Sequence, residues 1–372
     1  MNESVNYIMS RSTLIIVIDD LGRGGAEILL MGILPELNKK FTIIIVTLSE
    51  KFEFEPGELI CTKIYSLGFS GKKSFLPAIL KLKKIIKENR PQLVHAHLLK
   101  SSIVARAACP SHIPLVYTLH TIMSKDAFDN SRLYKLMEKY TIRKNHSVIA
   151  VSQAVLDDYK KTIDLPGRFF ILKNYVEDTF LQPRISHTEK QIFKEIKLLA
   201  VGNIKPVKNY EYLLKAFGHL QSLPVSLHIY GQGEANATAA LQKHIDSKNL
   251  NIELKGGVDN IAALLPAYDL FVMSSLYEGF GIAPVEAMGM GLPLLLSDIP
   301  VFKEITYDNA LFFNLNDPMD FVKLIQNISE NKYDLKNLSA RGILLAKEHY
   351  SKEIYLEKLF LIYDQLTERT EE

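Results

Sequence analysis

The chain has 372 residues, 47% hydrophobic and 23% charged, a folded composition too long for one ordinary core, which points to two domains and excludes a disordered chain. The net charge of +2 hides an asymmetry: residues 1–178 carry 25 Lys and Arg against 18 Asp and Glu, and the remainder 19 against 24, so the halves are expected to meet different partners. Cys61 and Cys109 alone exclude a disulfide framework and a cysteine-rich metal site.

The first apolar run ends at Asp19, too short to span a bilayer, and Glu3 makes the start a poor signal peptide. A cytoplasmic protein is the expectation. Strands are expected at 13–18, 41–48, 92–97, 114–119 and 147–151, with helices near 26–38, 74–89, 100–108 and 129–145. FFILK reads as the last strand of the front half, and the polar, proline-bearing LQPRISHTEKQ as a linker, placing the domain boundary near 174–195. The rhythm restarts with strands near 196–201, 225–230, 251–255, 269–273 and 293–297, and a last helix spans 351–368. Runs such as TIIIVTL and KLLAV are continuously apolar, as parallel strands covered on both faces must be. The pattern predicts two doubly wound α/β domains, with ligands at the carboxyl ends of the strands.

The basic excess of the front half concentrates on GKKSFLPAILKLKKIIKENR. Phe75, Ile79, Leu82 and Ile86 fall at helical spacing, with Lys81, Lys84 and Lys87 elsewhere on the turn. That is either an ordinary helix with solvated lysines or a surface for a membrane carrying a lipid-linked acceptor. Basic grooves with interleaved aromatics are absent, so nucleic acid is not an expected partner.

The most informative stretch is Ser274–Met288, SSLYEGFGIAPVEAM, a strand end opening into a helix that is expected to begin at Pro284. Gly279 and Gly281 let backbone approach a ligand, and the N–H groups of Gly281, Ile282 and Ala283 would face an anion. Glu278 and Glu286 flank that point, and carboxylates suit the hydroxyls of a polyol. Read singly, Glu286 is a helix-start charge and Glu278 a loop charge; together with Gly-Phe-Gly they make a site.

This segment resembles the E-x7-E signature of the family 4 retaining glycosyltransferases. The resemblance implies the GT-B fold: two Rossmann-like domains facing each other across a cleft, residues 1–178 binding acceptor and 179–350 binding the nucleotide sugar. A C-terminal helix over 351–372 would pack back on the first domain. It further implies that Glu278 contacts the sugar, that Glu286 holds the ribose, and that Phe280, Gly281 and Ile282 line the donor. Matches continue along nearly the whole chain. Gly24 and Gly25 resemble the family's glycine loop at the donor phosphates; Val201-Gly202 through Lys208-Asn209 resembles the diphosphate grip, and Gly231 lies in the G-x-G turn that follows. His97 and His120 are similar to its histidine-bearing strand ends, and Ala150-Val151-Ser152 with Asn174 to its interdomain segment.

His120 read from position alone is as much a core histidine as a catalytic one; the resemblance implies a place beside the reacting sugar. His95 and His97 share a strand face, as two metal ligands would, but no third ligand is near; His97 is read as lining the site and His95 as structural. The chain departs from the family at Asn203, where an Arg is usual, and at Tyr175, where Gly is common. Lys208, helped by Lys205, is therefore expected to carry the cationic stabilisation of the leaving diphosphate.

The implied reaction is metal-independent, cofactor-free transfer of a hexose or N-acetylhexosamine from a nucleotide diphosphate sugar, with a UDP-sugar favoured. The acceptor would be a glycan or lipid-linked molecule in cell-surface polysaccharide synthesis, with a possible site of action at the inner membrane face. Two rivals stay open: a non-catalytic sugar-nucleotide-binding relic, kept alive by Asn203, and an NAD-dependent oxidoreductase using the glycine loop. In the second case Glu27 stands at the third glycine of the dinucleotide fingerprint.

Overall fold

The structure, a computed structural model, describes residues 11–129, 131–165, 167–183 and 194–368. The expected linker falls largely on 184–193, outside the described residues. The chain divides into two compact units. One comprises the residues up to Val151, Val155–Leu172 and Leu356 onward; the other comprises Ser152–Ala154 and Lys173–Tyr355.

The first unit is built on seven parallel strands: β1 Thr13–Ile18, β2 Thr42–Thr47, β3 Lys63–Ser66, β4 Leu93–His97, β5 Leu115–Leu119, β6 His146–Ala150 and β7 Arg168–Ile171. Their order is β3-β2-β1-β4-β5-β6-β7. Every residue of β4, β5 and β6 is buried, because helices cover both faces of a parallel sheet. The second unit repeats the plan with β8 Ile196–Val201, β9 Val225–Tyr230, β10 Ile252–Gly256, β11 Leu270–Met273, β12 Leu294–Ser297 and β13 Leu311–Phe313, in the order β10-β9-β8-β11-β12-β13, again all parallel. One part of its core gathers Leu198, Leu227 and Leu270 from the strands with Phe217 and Phe321 from the helices.

In each sheet the chain reverses its winding at a pair of central strands, β1 with β4 and β8 with β11. Loops leaving such neighbours diverge to opposite faces and leave a crevice at the carboxyl ends. In the second unit those loops begin at Gly202 and at Ser274, which is why segments some 70 residues apart meet.

Some expectations need correction. The edge strands β3 and β13 were not foreseen; KIYS is half-exposed and LFF is three residues long, so neither shows a buried strand's pattern. A helix at Gln153–Thr162 was also not foreseen, its apolar face being only Val155, Leu156 and Tyr159. The helix expected over 129–145 is Arg132–Thr141, preceded by a wide turn at Ser124–Phe128. The chain turns extended after Thr141, and His146 already begins β6. The helix Phe75–Asn89 buries Phe75, Ala78, Leu82, Ile85 and Ile86 and leaves its lysines outside, with Leu76 and Leu80 exposed among them.

Candidate active site

At the β8 end, Gly202 has φ +159, and a Cβ there would lie 3.0 Å from the Lys208 side chain. Gly231 is under a harder constraint: its Cβ would sit 2.0 Å from the Gly202 carbonyl oxygen, so only glycine lets the two turns touch. The contact is sealed by Gly202 N–H donating to Tyr230 O and Ile204 N–H to Gln232 O, each at 2.8 Å. Asn203 faces solvent and accepts from Gln232 N–H at 3.3 Å. Lys205 is exposed. Lys208 closes a single turn, Pro206–Lys208, and Asn209 follows in the left-handed region at φ 49, turning the chain into the helix Tyr210–Phe217.

The β11 loop locks onto this one. Ser274 Oγ donates to Lys208 O at 2.9 Å, and Leu276 N–H to Val207 O at 2.8 Å. Lys208 Nζ then reaches Glu278 Oε1 at 2.6 Å, an oxygen that also accepts from Ser275 Oγ at 2.7 Å. Both charged side chains are mostly shielded, 18% and 15% exposed. Lys208 and Glu278 therefore neutralise each other in a shielded ion pair.

The helix after this loop is Ile282–Gly289, with Gly281 at its N-cap in the left-handed region (φ +90). Its first residue is Ile282, and Pro284 is the third rather than the first. The correction has a plain cause: the first turn lacks intrahelical partners for its N–H groups, so proline is tolerated throughout it. The free N–H end is thereby set at 281–283. Gly279 is held by Ser152, whose Oγ donates to its carbonyl at 2.7 Å. The Phe280 ring is buried edge-on against Tyr350.

Glu286, on the second turn, has no hydrogen bond to its carboxylate among the described residues. Burial first, and then the nearby negative charge of Glu177, push its carboxyl up to about 7. Asn174 and Tyr175 are buried close by in sequence, the latter against Tyr355 at 5.1 Å between ring centroids.

In the first unit, His97 and His120 end β4 and follow β5. His97 Nδ1 lies 3.1 Å from His120 Nε2, and His95 stacks on His97 with centroids 4.1 Å apart. Burial lowers all three imidazoles, His95 to about 3 and His120 to about 4, so the cluster is neutral at pH 7. His120 lines a cavity of about 460 Å³ with Asp19, Lys100, Thr118 and Glu138. Gly24 caps the helix Gly25–Lys40, and the Glu27 carboxylate folds back within 2.3 Å of where a Gly24 Cβ would stand. Asp19 accepts from Ser101 N–H at 2.9 Å, and burial raises both Asp19 and Glu27. The cavity thus carries both carboxylates and lysines, Asp19, Asp126 and Glu138 with Lys72 and Lys100, groups that can hydrogen-bond hydroxyls.

Asp19, Glu138 and Ser275 went unremarked as site residues in the sequence. Asp19 had a readable signal, a carboxylate directly after a buried strand; Glu138 and Ser275 had none. Among the described residues no group of three or more His, Cys, Asp or Glu is placed to hold a metal.

A family model described as Glycosyltransferase Family 4 matches residues 23–180, and one described as Glycosyl transferases group 1 matches 184–344. O-antigen chain mannosyltransferase RfbU of Salmonella typhimurium is 28% identical over 244 residues, 60% of this chain and 65% of that protein. An Escherichia coli enzyme, UDP-Gal:alpha-D-GlcNAc-diphosphoundecaprenol alpha-1,3-galactosyltransferase, is 25% identical over 280 residues, 69% of this chain and 71% of its own. Among solved structures, HepE of Anabaena in complex with UDP superposes with a TM-score of 0.79 at 18% identity, over 95% of this chain and 100% of that one. The glycine loop is thus not a dinucleotide fingerprint, and the paired Rossmann-like units are those of the GT-B fold. With the two models accounting for nearly all of both units, the chain belongs to the family 4 glycosyltransferases.

Proposed function

We propose that the chain transfers a hexose or N-acetylhexosamine from a nucleotide diphosphate sugar, favouring UDP, with retention of configuration and without a metal. The acceptor is a glycan or lipid-linked molecule of cell-surface polysaccharide synthesis. The observation that carries this reading is the meeting of Lys208, Glu278 and the helix start at 281–283 over the switch point of the second unit. Charge accumulates on the diphosphate as the glycosidic bond breaks, and a fixed cation and a helix N-terminus stabilise it there. Glu278, released from Lys208, accepts hydrogen bonds from the sugar, and Glu286 takes the ribose hydroxyls. The neutral histidines and the polar cavity of the first unit take the acceptor. In this reading no side chain acts as a nucleophile, and the acceptor enters on the face the diphosphate leaves. The names of the relatives agree with this: one is a mannosyltransferase of O-antigen, one uses UDP-Gal and a lipid diphosphate, and HepE binds UDP.

A thermal-shift and hydrolysis screen across UDP-, GDP- and ADP-sugars tests it. A shift and slow hydrolysis with one class support the transferase; a shift with neither hydrolysis nor transfer means a sugar-nucleotide-binding relic.

Glu286 supplies a pH test. Its raised carboxyl keeps a proton below about 7, and the ionised form, acceptor-only on both oxygens, binds hydroxyl donors the more strongly. UDP affinity is expected to rise from pH 6 to pH 8, and isothermal titration of Glu286→Gln to show no such rise. Glu286→Ala should weaken UDP by roughly 10–100-fold, the worth of a hydrogen bond to a charged group. Glu278→Ala should leave UDP affinity in place and lower turnover. Equal UDP affinity in wild type and Glu286→Ala removes the ribose assignment.

The exposed Leu76 and Leu80, set among lysines, favour peripheral contact with an anionic membrane face as the route to a lipid-linked acceptor. Cosedimentation with anionic vesicles, lost in Leu76→Glu/Leu80→Glu, is the expected result; cosedimentation unchanged by the pair of substitutions counts against it. No described helix is long and apolar enough to cross a membrane.

A further inference from the structure

The last helix, Lys352–Thr367, belongs to the first unit from Leu356 onward, and it brings Tyr363 against the histidine cluster. Tyr363 is buried, its ring edge-on to His95 at 5.7 Å between centroids and edge-on to Phe41 at 5.9 Å. Its Oη lies 2.6 Å from His95 Nδ1. The other nitrogen of the same ring, Nε2, lies 2.8 Å from Thr118 Oγ1. Thr118 lines the cavity that also holds His120, two residues along the chain. A continuous hydrogen-bonded path therefore runs from the C-terminal helix, through the β4–β5 pair, to the cavity wall.

The path has a direction. His95 is fully enclosed and neutral, so one ring nitrogen donates and the other accepts. A phenol is a better donor and a poorer acceptor than an aliphatic hydroxyl. The favoured arrangement has Tyr363 O–H donating to Nδ1, which leaves the ring proton on Nε2 to donate to Thr118 Oγ1. With one lone pair of Oγ1 taken by His95, the Thr118 proton turns away from that ring. Among the described residues Thr118 Oγ1 has no other partner, and Thr118 is one of the residues that line the cavity.

We infer that Tyr363 is a positioning residue for the transfer reaction: through His95 it fixes the Thr118 hydroxyl as a donor to the acceptor beside His120. This rests on the cavity being the acceptor site of the proposed transferase. The same path accounts for His95, which is buried too deeply to touch a substrate yet carries two hydrogen bonds to side chains.

The test uses the full chain with Tyr363→Phe, which keeps the ring and deletes only the hydroxyl, alongside Thr118→Val and the double variant. The expected result is a fall in kcat of about tenfold for each single variant, the size of one net hydrogen bond, with donor KM unchanged. The double variant should be no worse than either single one, because both break one path. Imidazole ¹⁵N spectra, with His95 assigned through His95→Gln, should show the ring proton on Nε2 in wild type and no longer fixed there in Tyr363→Phe. Leu359→Ala, a buried packing change on the same helix, should lower the melting temperature and leave kcat alone. The inference is overturned by an unchanged His95 spectrum in Tyr363→Phe, by a changed spectrum with wild-type kcat, or by an equal loss of kcat in Leu359→Ala. If the unaltered chain turns over no donor, the transferase reading fails, and the spectra still decide whether Tyr363 sets the tautomer.

Discussion

Lys208→Ala is expected to lower kcat by about 10²–10³-fold, the effect of removing one preorganised donor from a developing charge. Two features enlarge the effect here. Asn203, where the family usually has Arg, supplies only a neutral amide, and Lys205 is exposed, so on the proposed reading neither shares the load on the diphosphate as a fixed cation. The substitution also leaves the Glu278 carboxylate without its ion-pair partner, 15% exposed, next to where an anion must bind. Donor KM should therefore rise along with the loss of kcat. Asn203→Ala and Lys205→Ala should each cost far less. Steady-state rates of the three variants decide it: a near-normal Lys208→Ala with an inactive Lys205→Ala would move the diphosphate grip to Lys205 and mean that the loop is threaded differently.

The second large effect concerns stability. Arg106 is fully buried in the first unit, its guanidinium 4.4 Å above the Tyr117 ring. Nη2 donates to Glu138, Nε donates to Thr141 Oγ1 at 3.1 Å, and the Tyr159 hydroxyl donates to Glu138. Nη1 has no partner. Desolvating two charges nearly cancels their attraction, but stranding one of them does not. Arg106→Met or Glu138→Leu alone should destabilise by about 3–5 kcal/mol. For a unit of this size that lowers the melting temperature by roughly 6–20 °C. The double variant Arg106→Met/Glu138→Leu should recover most of the loss, since neither charge is left behind. Thermal unfolding followed by circular dichroism checks this; a double variant as unstable as the worse single one would show that the pair contributes more than it costs.

This pair also marks where reading the sequence stops. Glu138 sits in LMEKY, which looks like the solvated side of an amphipathic helix, and nothing local joins it to Arg106 32 residues earlier. The central strands were legible because a strand covered on both faces must be apolar throughout, as TIIIVT is. The edge strands β3 and β13 carry no such demand and were missed. The meeting of the loops that bear Glu278 and Lys208 was legible, because the switch-point rule brings those strand ends together. The ion pair between Glu278 and Lys208 was not legible, because it depends on Ser274 and Leu276 fixing one loop on the other. Tyr363 was invisible for a different reason: a tyrosine in a terminal amphipathic helix has no pattern that announces a histidine 268 residues away.

The proposed chemistry has one direct test. The chain is incubated in EDTA with an α-configured nucleotide sugar that binds in the screen and a matching acceptor, and the product's anomeric proton is read by NMR. The account predicts transfer that survives chelation and yields the α-linked product. A β-linked product would contradict front-side transfer, and activity lost in EDTA and restored by Mn²⁺ would contradict the place given to Lys208 and the helix start at 281–283.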